Sequence, residues 1–269
     1  MSLVLREIWI YPIKSLGGIP LSSSQVTEKG LKYDRRYMLV TEKNVFMTQR
    51  EFPQMALFRT EIVNEDLIIR WKTDVLTISL IPDTIGKSLT TNVFDDTVLV
   101  VQTKNEYDQW FSKRIGTSCN LVFFPEKNAR PIDPNYQIKD ENVSLADRYP
   151  FLIIGEESLN NLNLKLSSPV PMNRFRPNMV FSGGEPFEED RWRNFRIGEN
   201  RFVGVKPCAR CAIPTVNQDT GEKGKEPLVT LSKYRRGENG KVYFGQNVVA
   251  QDHTKISVGQ KIQIESYSD

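Results

Sequence analysis

Two of the three cysteines in this 269-residue chain, Cys208 and Cys211, stand in the stretch "VKPCARCAIPTV", Val205 to Val216. Thiols at that spacing serve as half of a zinc knuckle, as a redox disulfide, as small buried hydrophobes, or as a site where one sulfur is a ligand. Structural zinc wants four Cys or His ligands, commonly as two pairs, and the remaining candidates, Cys119 and His253, form no second knuckle. A disulfide-exchange C-x-x-C opens a helix after a strand, whereas "CARCAIPTV" runs into β-branched residues and a proline. If Val203 to Val216 is largely extended, side chains three apart point to opposite faces, so we expect one sulfur to enter a cleft and the other to pack. Arg210, between the two, favours a thiolate.

Other polar residues fall where strand ends or turns would present them. "YPIKSLGG" places Lys14 and Ser15 before a glycine pair, and a lysine, a hydroxyl and free backbone amides are a recurrent phosphate grip. "YDRRYML" offers Arg35 and Arg36 entering a strand, of which only one can face inward; "MTQRE" adds Arg50, and "RFRPN" adds Arg174, Arg176 and Asn178. Each alone reads as a solvated surface charge. Together they point to an anionic ligand with a soft metal or sulfur partner. The single histidine, His253 in "AQDHTKIS", reads as a surface residue in a polar loop, which argues against hydrolases needing a His base and against multi-imidazole metal sites.

These residues would be positioned by a mainly β scaffold. "REIWIYPIK", "RRYMLVTE", "DLIIRW", "VLTISL" and "TVLVVQT" are strand-like runs separated by turn residues, the pattern of a barrel or sandwich. "NEYDQWFSKRIG" changes the period: Tyr107, Trp110, Phe111 and Ile115 share a helical stripe. After a proline-rich boundary from Pro125 to Pro134 come a strand "PFLIIG" and a helix "EESLNNLNLKL" with Leu159, Leu162 and Leu166 on one face. Strand "NMVFSGG", a hairpin turning at Gly198-Glu199-Asn200 and the pair "KVYFGQNVVAQ" and "KISVGQKIQIE" complete the chain. We therefore expect mainly β structure with a few helices, in two β-barrel-like lobes over residues 1–125 and 126–269.

Composition is that of a globular protein, 39% hydrophobic and 26% charged, and the net charge of +3 is too weak to argue for nucleic acid. The start "MSLVLREIWIYPIK" has no leader pattern, no segment reaches the ~20 apolar residues of a membrane span, and three cysteines build no disulfide framework. The expectation is a cytoplasmic protein with no membrane attachment.

In order along nearly the whole chain, "IWIYPIKS", "DRRYMLV", "MTQRE", "FRPN", "CARC" followed by "DTGEKGKEPLVTL", and "FGQNVVA" with "ISVGQKI" resemble the MOSC proteins that carry an N-terminal β-barrel domain. That group includes the mitochondrial amidoxime-reducing component and its bacterial relatives. The resemblance implies an N-terminal MOSC β-barrel followed by a MOSC domain, with molybdenum cofactor, a pterin dithiolene ending in a phosphate, bound between them. It implies that Cys211 is the thiolate ligand of molybdenum, and that Lys14, Ser15, Arg36, Arg176, Asn178 and Arg210 grip the phosphate and pterin edge. Asp147, in "SLADRYPF", matches an acidic position near the metal and would order substrate or water and assist proton delivery; read alone it is a capping or turn aspartate. The implied activity is reduction of a small N-hydroxylated substrate. Because no iron–sulfur extension follows, electrons would come from a separate donor protein (cytochrome b5-like, ferredoxin-like or a flavoprotein reductase) to a monomeric enzyme. The alternative is a molybdenum cofactor carrier or sulfur-transfer module with a persulfide on cysteine; a β-rich anion or nucleic-acid module ranks last.

Overall fold

The structure, a computed structural model, describes residues 2–82 and 86–268. An eight-stranded sheet dominates it, in the order Ile262–Tyr267, Trp192–Ile197, Asn200–Ala209, Tyr243–Ala250, Phe151–Gly155, Met179–Ser182, Val4–Ile10, Ile19–Leu21. Within this sheet Phe151–Gly155 runs parallel to Met179–Ser182, and Val4–Ile10 is antiparallel to both its neighbours. A four-stranded sheet (Tyr37–Thr41, Cys119–Phe123, Asp96–Gln102, Ser88–Val93) and a three-stranded meander (Arg59–Val63, Asp66–Trp71, Asp74–Ser79) make up most of the first half. The mainly β fold is as expected.

The sequence boundary near residue 125 divides the chain but not its sheets. Val4–Ile10 and Ile19–Leu21 hydrogen-bond into the large sheet, and Ser23–Thr27 pairs with Lys255–Ser257 from near the end of the chain. One cluster of buried side chains accordingly runs from Leu67 and Phe111 through Ile8 and Ile10 to Trp192 and Ile262. Tyr37–Thr41 explains how the halves share that core. Its Tyr37 and Leu39 face the main cluster, while Met38 and Val40 face a second one with Val100, Val122 and Phe124. Alternate residues of a strand serve opposite faces, so a strand apolar on both must be covered on both.

Helix Asn105–Ile115 buries Tyr107, Phe111 and Ile115, with Trp110 half-buried beside them. Glu106 and Asp108 in the first turn and Lys113 and Arg114 in the last complement its dipole, and Gly116 ends it at φ 80°, donating its N–H to Ser112 O. Helix Glu156–Asn163 buries Leu162; Leu166, expected on the same helical face, lies past its end but packs with Leu159 onto the cluster of Ile154, Phe175 and Phe244. The short helix Leu228–Ser232 had no periodic signal. His253 is exposed in the loop after Tyr243–Ala250, as expected. Among the described residues no helix is long and apolar enough to cross a membrane.

The start of Glu156–Asn163 rests on an unusual cap. Glu189, fully buried, accepts from Gly155 N at 3.2 Å and from Ser158 Oγ at 2.9 and 2.8 Å. Burial first, then the Asp190 charge, raises its pKa from 4.5 to about 7, against the opposing pull of these hydrogen bonds. An acid with a raised native pKa binds more protons folded than unfolded, so its contribution to stability is full below about 4.5 and lost as pH rises to about 7. We expect Glu189→Gln, which removes that titration, to gain on the order of 3 kcal/mol relative to wild type between pH 4.5 and 7.5. Paired denaturant melts across that range check it; a pH-independent gap would refute it.

Candidate functional site

Of the expected grip of Lys14, Ser15 and free backbone amides, Lys14 and Ser15 reach the cavity, while the glycine pair that follows them serves close packing. Gly17 N donates to Phe58 O at 3.0 Å, and a Cβ on Gly18 would lie 2.5 Å from the Tyr11 ring. The pair lets chain segments meet closely. Tyr11 is consequently fixed, with its OH donating to Pro177 O at 3.1 Å, and it becomes a plank for two guanidinium groups: Arg176 at 4.1 Å and Arg35 at 4.4 Å from its ring centroid.

Both arginines face a cavity of about 730 Å³. Its walls come from the turn after Val4–Ile10 (Lys14, Ser15), the segment 146–149, the turn 175–178, the end of Asn200–Ala209 with the residues after it, and the loop 240–242. Lys14, Ser15, Asp147, Arg176, Asn178, Arg210 and Cys211 all line it. Arg36 does not: it is buried elsewhere, its Nε donating to Glu126 Oε1 at 2.5 Å. Strand alternation left open which of the two arginines turns inward; the resemblance pointed to Arg36, and it is Arg35 that lines the cavity. The strand begins only at Tyr37, and Arg35 sits before it at φ 49°, outside the alternation.

The two thiols also depart from expectation. The strand stops at Ala209 after register shifts at Gly204/Lys206 and Pro207/Ala209, and a short 3₁₀ turn, Ile213–Thr215, follows Cys211. Without a straight pleat the opposite-face argument lapses, and Cys208 and Cys211 line the same cavity. Cys208 has its thiol pKa raised by burial, against the pull of Arg210. Cys119 is buried far from this chemistry and pushed up to about 11 by desolvation.

The lining holds seven basic side chains and two carboxylates. Arg148, Lys206 and Lys241 among them carried no sequence signal: Lys206 and Lys241 are single charges in "VKPC" and "GKVY", and Arg148 stands beside Asp147 in "DRYP". Lys14, buried, donates to Leu145 O at 2.8 Å and pairs closely with Asp147. Burial lowers the lysine's pKa, and Asp147 opposes that. For Asp147 burial would raise the pKa, but Lys14, then Arg35 and Arg50, outweigh it and hold the carboxyl at about 2. Its side chain is 51% open on the cavity side, where solvent screens the pair. A carboxylate that acidic is ionised at neutral pH and accepts hydrogen bonds there.

Among the described residues two buried guanidinium nitrogens, Arg176 Nη2 and Arg210 Nε, find no hydrogen-bond partner. Burial brings Arg176 down to about 10, which leaves it a cation. Unspent donors on two cavity-lining arginines suit a bound anion, and the sulfur of Cys211 suits a soft metal. Among the described residues no group of three or more His, Cys, Asp or Glu gathers to hold a bare ion, so a metal here would need ligands from its own cofactor. The residues present fit a phosphate-bearing metal dithiolene.

Residues 2–118 match the MOSC N-terminal beta barrel domain and residues 140–263 the MOSC domain, which is a molybdenum-cofactor-binding domain. The chain is 31% identical over 278 residues to the mouse mitochondrial amidoxime-reducing component 1, covering 97% of this chain and 82% of that protein. It is 34% identical over 241 residues to the cattle mitochondrial amidoxime reducing component 2, covering 86% and 72%. It is 35% identical over 262 residues to the rice molybdenum cofactor sulfurase, covering 90% of this chain but 32% of the relative, so it spans about a third of that protein. Sequence and cavity together lead to one conclusion: the chain belongs to the MOSC family, in the form that joins a MOSC N-terminal β-barrel domain to a MOSC domain.

Proposed function

We propose that the protein is a molybdenum-cofactor-dependent reductase of small N-hydroxylated compounds, such as amidoximes or hydroxylamines, supplied with electrons by a separate donor protein. The observation that carries this reading is the convergence of Cys211 with Lys14, Asp147, Arg176 and Arg210 on one basic cavity. When bound, the cofactor supplies the two-electron chemistry that cleaves the N–O bond, with two protons taken up and water released.

The chain's own residues bind, orient and hold charge. Cys211 provides the protein's sulfur ligand. Arg176 and Arg210 direct their unpartnered N–H groups to the phosphate and pterin edge, and Arg35 takes the place expected of Arg36. Asn178 works from behind: its side chain donates to Trp9 O at 3.1 Å and accepts from Arg35 Nη1 at 3.3 Å. Lys14 anchors Asp147, whose carboxylate accepts from a substrate N–OH or an ordered water; protons reach the site through solvent. Ser15, at φ 68° with its carbonyl accepting from Gln49 Nε2, offers its hydroxyl to the same ligand. A cytoplasmic, monomeric enzyme completes the reading, and three free cysteines suit a reducing compartment.

The likeness to plant molybdenum cofactor sulfurases favours a second reading, a cofactor carrier or sulfur-transfer module. Mass spectrometry separates the two: a persulfide on Cys211 in metal-free protein supports the carrier.

Expressed in a cell that makes molybdenum cofactor, wild type should hold stoichiometric molybdenum and reduce benzamidoxime with a chemical electron donor. Cys211→Ser should lose the metal and at least about a hundredfold in turnover. Bound metal without reduction would sink the reductase and leave the cofactor. Asp147→Asn should lower kcat/KM and, by stranding buried Lys14, melt earlier at pH 7. A depressed native pKa gives stability that is present above the ordinary carboxylate range and lost on acidification. The melting gap between Asp147→Asn and wild type should therefore close as pH falls from about 4 to about 2, read by calorimetry.

A further inference from the structure

Cys208 is the cavity thiol for which the proposed chemistry has no use, yet its sulfur is engaged. Arg210 Nη1 donates to Cys208 Sγ at 3.1 Å, Arg210 Nη2 donates to Phe175 O at 2.7 Å, and the guanidinium lies over the Phe175 ring at 5.5 Å. The arginine's backbone is pinned as well, its N–H donating to Val242 O at 2.8 Å. Among the described residues no carboxylate forms an ion pair with Arg210. Neutral acceptors alone orient it, so its charge is directed but not neutralised, which is what an anion-gripping arginine requires.

We propose that Cys208 is a positioning residue: its sulfur, with the Phe175 carbonyl, holds the Arg210 guanidinium in the orientation that receives the anionic part of the cofactor, and it is not itself a ligand of the metal. This rests on the cofactor reading above. The physical reason is the length of the arginine side chain. With one acceptor removed the group swings about the remaining hydrogen bond to Phe175, and binding must then recover the lost rotamer entropy. A serine hydroxyl at position 208 still accepts from Nη1, whereas it cannot replace a thiolate on a soft metal. Positioning and ligation therefore predict opposite results for the same substitution.

The experiment compares wild type, Cys208→Ser, Cys208→Ala, Arg210→Ala and the double variant Cys208→Ala/Arg210→Ala, all made in a cofactor-producing cell. Pterin released by acid and oxidised to its fluorescent form is measured per mole of protein, with a thermal melt of each variant to confirm folding. Cys208→Ser should keep at least about half of the wild-type pterin, while Cys208→Ala should retain it about tenfold more weakly, as should Arg210→Ala. The double variant should be no worse than Arg210→Ala, because both changes break one interaction. Serine as empty as alanine, an alanine variant as full as wild type, or losses that multiply in the double variant would each overturn the proposal. A second measurement uses cofactor-free protein: inorganic phosphate at fixed ionic strength should raise the melting temperature of wild type and Cys208→Ser, and do so less, and equally, in Cys208→Ala and Arg210→Ala. If wild type carries no pterin, the cofactor reading fails. The phosphate shift then decides the positioning role alone, equal shifts in wild type and Cys208→Ala overturning it.

Discussion

Seven basic side chains drawn to one cavity repel one another, and the architecture around them exists largely to withstand that repulsion. Four of them are met in different ways. Asp34, fully buried, accepts from Arg35 Nη1 at 2.6 Å and from Tyr11 N at 2.8 Å, so one carboxylate neutralises an arginine and fixes the aromatic ring beneath it. Lys14 has Asp147, and Arg148 has Asp95 at 2.7 Å. Lys206 lies 4.1 Å above the Tyr136 ring. Among the described residues Arg176 and Arg210 form no ion pair with a carboxylate, so uncompensated charge collects where an anionic ligand would complete it.

The cavity needs both halves of the chain. Lys14 and Ser15 arrive on the turn between Val4–Ile10 and Ile19–Leu21 of the large sheet, and Arg35 just ahead of Tyr37, where the four-stranded sheet begins. The thiols arrive at the far end of Asn200–Ala209. Between them Arg130, buried, fastens the 144–147 segment by donating to Ser144 O, Ala146 O and Asp147 O while pairing with Asp96 at 2.6 Å. This clamp connects a hairpin of the first half to the carboxylate of the second. Phe94, at the hairpin tip, stands at φ 55° at the cavity wall, a strained conformation, and the two residues after it, Asp95 and Asp96, form ion pairs with Arg148 and Arg130.

Periodic features were legible in the sequence because burial writes them in apolar spacing: the strand runs, the Asn105–Ile115 stripe, the hairpin at Gly198. Seven site residues could be named because motif order along the chain carried them. What stayed hidden had a common cause, namely backbone that is neither helix nor straight strand. Arg35 against Arg36 was decided by a left-handed residue ahead of the strand, and the shared cavity of Cys208 and Cys211 by two register shifts and a 3₁₀ turn. Lys206 and Lys241 had no pattern to betray them, since a lone lysine looks alike at a cavity and on an open surface. Sheet partnership was equally illegible: nothing local in "VLREIWI" says that its neighbour lies at Met179–Ser182.

That pairing sets the order in which a ribosome's product can mature. The inner neighbour of Val4–Ile10 does not exist until Met179–Ser182 has been synthesised, roughly ten to thirty seconds later at ordinary elongation rates. For that interval the strand's inner edge waits without the companion that hydrogen-bonds it in the finished sheet.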